Sequence, residues 1–365
     1  MDTVLIFGLL AVLCAILNSV GIWKHGLLAG FAITTTLLAI HYNFCNDYMV
    51  YLDWFEENLY GALPRNLTEF KNSSRAPGWD VLNFLFGRMF GESGFFVMVA
   101  VLSLFEGWAY YFFIKKYVPV HWYWFAMTIY VLNNHFFVLT FSMMRQSLVM
   151  AVFLIAMHYI HQKKIIVPVI LLLLASTIHT SVLICIPLVF IQFIPAHGNR
   201  AMAIICSCLL VLFLASSSLL QNVAAKFNAI GAFAEYMDTY SDFGETATLG
   251  FGYLLKLLPF FIAMVGLWRN TCGEYNDFVY VWAFSVILLP FNTLFPLFGR
   301  MVMYFELPAL CVFPLLCGSV LRTKPVQIGL TLCIIVLYAY ALKLSFFTPT
   351  SIYYDSFLTF QTIFQ

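Results

Sequence analysis

Long apolar runs follow one another along this chain with almost no charge inside them, and that pattern limits what it can fold into. The runs fall at 3–22, 26–42, 94–114, 119–138, 143–160, 165–178, 180–196, 201–220, 250–268, 278–298, 300–320 and 326–346. Most reach the roughly 20 residues that a helix needs to cross a hydrocarbon core of about 30 Å. Hydrophobic residues make up 62% of the 365 positions and charged residues 10%, against about 45–50% and about 25% in soluble domains. A water-soluble fold would leave large apolar areas in water. A net charge of +1 without a basic stripe excludes nucleic acid as a partner. The expected fold is therefore an all-α polytopic integral membrane protein, a single domain over 1–365 with about 11–12 transmembrane helices.

The runs on either side of His179 decide the count. As one helix, Ile165 to Ile194 would be about 45 Å long at 1.5 Å per residue, too long for one straight crossing. The polar stretch Ser176-Thr177-Ile178-His179-Thr180-Ser181 divides it into two short half-spans. With that division Lys24, Lys115, Lys116, Lys163, Lys164, Arg200, Arg269, Arg322 and Lys324 share one side with two acids, Glu274 and Asp277. The other side holds seven basic and 13 acidic residues. The positive-inside rule then puts the first set in the cytoplasm and both termini outside. A single span at His179 would carry Arg322 and Lys324 outside.

Two external loops are expected, at about 42–93 and 221–249. Asp47–Tyr60 mixes acids with Tyr, Trp and Phe, the composition of a helix lying at the headgroup level. Gly78–Phe90 reads as a second interfacial or re-entrant piece. Thr3–Val20 reads as the first span, because no basic stretch precedes it. The nine cysteines sit mostly within apolar runs and read as packing residues. No metal site is expected, since no Cys or His spacing suits one.

Few residues remain to carry chemistry, and they collect on the external side. Arg145 opens a span in Met144-Arg145-Gln146-Ser147. It is either a snorkelling end-residue or an anion clamp, since its planar fork of donors matches phosphate oxygens, with Gln146 adding donors. His179 is either a buried ring bonded to a carbonyl or a base at a helix interruption. Arg300 starts a later span, with Tyr304 one turn on. Asp47 is either a solvated interfacial acid or an alternative base. Two arginines on the side that topology depletes of positive charge point to an anionic ligand. Walker A, GxSxG and HExxH motifs are all missing from the sequence, and no cofactor is expected.

The ordered segments Asn46-Asp47-Tyr48-Met-Val-Tyr51, Gly78-Trp-Asp-Val-Leu-Asn83, Met144-Arg145-Gln146-Ser-Leu-Val-Met-Ala151, Ser176-Thr-Ile-His179-Thr-Ser181 and Arg300-Met-Val-Met-Tyr304 resemble the EpsG family of Wzy-type polysaccharide polymerases. The resemblance implies a multi-pass enzyme of the bacterial inner membrane with its active site facing the periplasm. It would join undecaprenyl-diphosphate-linked oligosaccharide units of an O-antigen, capsule or exopolysaccharide by metal-independent glycosyl transfer. Membrane lipids and a chain-length regulator are the further partners it implies. On that reading Arg145, Arg300, Gln146 and Tyr304 hold the diphosphate, and His179 or Asp47 accepts the proton. A lipid-linked saccharide ligase and a polysaccharide flippase or transporter are the alternatives.

Overall fold

The structure, a computed structural model, describes residues 1–59, 76–195, 198–215, 251–293, 298–321, 323–349, 351, 354–357 and 359–364. Most of the first expected loop's middle, including Arg65, Lys71 and Arg75, lies outside the described residues. So do all of the second loop, 221–249, and Arg322.

Helices dominate, as the apolar runs dictate. The chain divides into two compact units, residues 1–186 with 338–365 and residues 187–337. The first contains α1 (Asp2–Ser19), α2 (Gly26–Ile40), α3 (Tyr48–Leu59), α4 (Pro77–Phe90), α5 (Gly94–Tyr117), α6 (Tyr123–Leu132), α7 (Met144–His161) and α8 (Ile166–Ser176). The second holds α9 (Asn199–Ala215), α10 (Phe251–Trp268), α11 (Asn276–Leu288), α12 (Phe298–Glu306) and α13 (Ala309–Leu315). A 3-10 helix over Thr180–Phe193 and the final α14 (Lys324–Phe346) each run across the division.

The sides of these helices are arranged for lipid. α1 buries Val4, Gly8, Ala11, Cys14, Ala15 and Asn18 at intervals of three and four residues. It leaves Ile6, Leu9, Leu10 and Leu13 exposed. Small residues facing protein and large apolar ones facing out are what helix association in a membrane selects. Gly107 of α5 shows how close the backbones come: a Cβ there would stand 1.9 Å from Thr35 Oγ1 on α2. The turn between α1 and α2 is tied by Asn18 Oδ1, which accepts from Leu27 N–H at 3.1 Å.

Among the described residues three helical stretches, Asp2–Ser19, Pro77–Tyr117 and Lys324–Phe346, are individually long and apolar enough to cross a membrane. Two bent pairs raise the number to five. Several other expected runs form helices of 10–17 residues, Gly26–Ile40 and Ile166–Ser176 among them. The expected span 119–138 is broken, with Val120–Leu132 and Asn134–Phe141 meeting at 67°. Here Asn133 Oδ1 accepts from His135 N–H at 2.9 Å and caps a new, irregular helical segment. The expected span 300–320 bends by 51° next to Pro308, whose ring and missing N–H prevent an uninterrupted helix.

At one end of the first unit the connections interlock. Cys45, with φ of 94°, is held by its Sγ–H donating to Phe141 O at 2.7 Å. Burial pushes this thiol up to about 12, so it serves as a donor and not as a thiolate. Late residues close the same end. Gln361–Thr362 pairs antiparallel with His41–Tyr42, and Phe44 packs edge-on against Phe357 and Phe360.

Candidate functional site

Arg145 stands in the first turn of α7, where a helix's leading amides have no partner within the helix and favour negative charge. Its guanidinium carbon lies 5.0 Å from the ring centre of Trp54 and 5.8 Å from that of Tyr51. Both rings belong to α3, three residues apart and so on one side of it. The aromatic faces hold the cation in place but take none of its hydrogen bonds. Arg145 Nε is buried and has no hydrogen-bond partner among the described residues. Gln146, next along, is 2% exposed.

From Tyr51 the contacts lead to α4. The Tyr51 and Trp79 rings lie 5.4 Å apart, and Trp79 is fully buried. Asn83, one turn further on the same side of α4, is also fully buried. Neither amide atom of Asn83, nor the Trp79 indole nitrogen, has a hydrogen-bond partner among the described residues. Such orphaned groups are uncommon in finished structures and call for an explanation; a polar ligand is one.

The N-terminus of α4 reaches the segment that carries His179. Gly78 N–H donates to Thr177 O at 2.9 Å, and a Cβ on Gly78 would stand 2.3 Å from Thr177 Oγ1. Only glycine allows that approach without a shift. α8 ends at Ser176 and the 3-10 helix begins at Thr180, so the polar stretch read from the sequence is a real interruption. His179 is partly exposed, and its Nδ1 lies 2.7 Å from Ser181 Oγ. When Ser181 donates, Nδ1 is the acceptor and the proton sits on Nε2.

Asp47 immediately precedes α3 and is half-buried, with its carbonyl accepting from Tyr51 N–H at 3.1 Å. Beside it Tyr48 is fully buried, and burial pushes its phenol upward. Asp47, Arg145, Gln146 and His179 thus all belong to the first unit, linked through α3 and α4. Arg300 and Tyr304 belong to the second unit, one turn apart on α12, with Arg300 half-buried and Tyr304 fully buried.

Asn133 and Asn134 both make structural hydrogen bonds. Asn133 caps, and Asn134 Nδ2 donates to Ser345 Oγ at 3.0 Å. The two acids within spans have different partners. Glu106 Oε1 accepts from Ser147 Oγ at 3.0 Å, while Glu306 Oε1 lies 3.0 Å from Lys256 Nζ. Trp54, Trp79 and the Glu106–Ser147 pair were not singled out from the sequence. The i, i+3 spacing of Tyr51 and Trp54 is the one signal that could have marked the aromatic pair. Among the described residues no group of three or more His, Cys, Asp or Glu is placed to hold a metal ion.

An arginine over aromatic rings with its buried Nε unpartnered among the described residues, a polar helix break and a buried amide likewise unpartnered there suit a polar, anionic ligand. Comparison with curated proteins and with solved structures returns no match. The model of the EpsG family matches residues 27–362, a range that takes in every one of these residues. The chain is an all-α, multi-pass membrane protein and belongs to the EpsG family.

Proposed function

We propose that this protein joins oligosaccharide repeat units carried on undecaprenyl diphosphate into a surface polysaccharide, at the periplasmic face of the inner membrane. The observation that carries the reading is Arg145, held over Tyr51 and Trp54 with a buried Nε lacking a partner among the described residues. Membership of the EpsG family supports it.

In this reaction the bond between the anomeric carbon and the diphosphate oxygen of the growing chain breaks. The diphosphate leaves with the electron pair. A hydroxyl oxygen of the next repeat forms the new glycosidic bond, and its proton passes to His179, with Asp47 as the alternative acceptor. The main demand is for charge stabilisation on the leaving diphosphate. A donor already fixed in a water-poor site supplies it without reorganisation, and Arg145 with Gln146 fits that part. Arg300 and Tyr304 keep the diphosphate-binding role that their sequence position suggests. Transfer of this kind needs no metal from the protein.

The test uses a strain lacking the native copy, complemented with Arg145→Ala, His179→Ala or Arg300→Ala, each checked for expression. Loss of long-chain surface polysaccharide with survival of single-repeat material is the expected result. Normal chain length in all three overturns the reading. Purified protein given lipid-linked repeats in detergent separates the alternatives: a ladder of products marks a polymerase, a single transfer to another acceptor a ligase, and no new bond a transporter.

A further inference from the structure

Glu106 has no part in the chemistry above, yet it is bonded to the turn that carries Arg145. It lies within α5 and is 5% exposed. A carboxyl at membrane depth is costly unless its oxygens are used. Its Oε1 accepts from Ser147 Oγ at 3.0 Å. The same hydroxyl is 3.0 Å from Met144 O, and Ser147 N–H donates to Met143 O at 2.9 Å. Ser147 is thus tied to both residues that precede Arg145, and through Glu106 to a neighbouring helix.

The space beneath this turn shows why that bond matters. A cavity of about 10 Å³ lies there, lined by Leu38, Val99, Leu102 and Met144 as well as by Ser103 and Glu106. It has about the volume one water needs. Its lining is mostly apolar, and Glu106 is the lining residue whose carboxyl is bonded to Ser147.

We infer that Glu106 is a positioning residue for Arg145: through Ser147 it fixes the first turn of α7, so that the guanidinium stays over Tyr51 and Trp54. Its importance for activity rests on the diphosphate-binding reading, but the positioning can be measured without any substrate.

The probe is phenylglyoxal, which modifies accessible guanidinium groups, followed by peptide mass spectrometry of the full-length protein in nanodiscs. Ser147→Ala and Glu106→Leu should raise the modification rate at Arg145 roughly fivefold, the effect expected for losing one hydrogen bond. Glu106→Gln retains the Oε1 acceptor and should leave the rate within about twofold. Arg200, in the other unit, reports on general loosening and should not change. Wild-type rates at Arg145 in both disrupting variants overturn the inference, as does a parallel rise at Arg200. If Glu106→Leu fails to fold, Ser147→Ala, the milder truncation, decides alone. Undecaprenyl diphosphate added to wild-type protein should protect Arg145. Failure to protect counts against the diphosphate reading and not against the positioning, so the two failures are distinguishable.

Discussion

Arg145 and Arg200 are both arginines near the start of a helix with a tryptophan under the guanidinium, yet they do different things. Arg200 lies 5.7 Å from the Trp268 ring, and its Nε donates to Trp268 O at 3.3 Å. The ring and the carbonyl belong to one residue, so Arg200 is an exposed latch on the end of α10. Arg145 has closer aromatic support at 5.0 Å and a buried Nε with no acceptor among the described residues. A cation with its hydrogen bonds taken holds structure together. A cation whose buried Nε has no acceptor among the described residues keeps that donor for a ligand.

The contrast is easiest to break with the largest effect. Arg145→Ala should cut polymer formation by about 10²–10³, the usual loss on removing a donor to developing charge. Arg200→Ala should leave polymer length unchanged, as read from the surface polysaccharide ladder. Equal losses would erase the distinction.

A second test asks whether partnered charges serve stability. Glu306→Ala leaves Lys256 without the carboxylate 3.0 Å away. It should cost about 2 kcal/mol, below the 3–5 typical of a fully buried pair because Lys256 is partly exposed. Thermal unfolding in detergent measures this, and the exchange Lys256→Glu with Glu306→Lys should recover part of the loss. An unchanged Tm in Glu306→Ala would show that the pair is not structural.

A smaller effect is expected at the aromatic partner. Trp54→Leu removes a cation–π contact worth about 1 kcal/mol at a partly desolvated site. Undecaprenyl diphosphate should then bind about fivefold more weakly to the nanodisc-held protein. Trp268→Leu should not alter that affinity. A matching fall in both would make the two arginines equivalent after all.

Where local composition determines structure, the sequence was readable. The aromatic and acidic mixture after Asn46 forms α3 over Tyr48–Leu59, and the piece after Ala76 forms α4 over Pro77–Phe90. The polar stretch around His179 interrupts the helix where the length argument placed a break. The bends were hidden for a physical reason. The polar Asn133-Asn134-His135 is short and flanked by apolar residues, and hydropathy stays high past Pro308, so apolar runs pass over the Asn133 cap and the proline. Arg145 and His179 stood out because ionisable groups are rare at such depths. Their surroundings did not, because Trp54 meets Arg145 from 91 positions away in the chain and no local pattern encodes a tertiary contact. That Glu106 and Ser147 meet was hidden for the same reason.

The pairing of His41–Tyr42 with Gln361–Thr362, reinforced by Ile363 N–H donating to Ile40 O at 3.0 Å, has a consequence for biogenesis. The strand partner of the segment that leads into α3 emerges from the ribosome more than 300 residues after it. At about 5–20 residues per second, the nascent chain waits some tens of seconds for that partner. Until Thr362 has been made, the enclosure around Phe44 and Cys45 lacks one wall. This end of the first unit is therefore completed only after most of the helices have been made, and a stop shortly before Gln361 would spare those helices while leaving the approach to α3 unfinished.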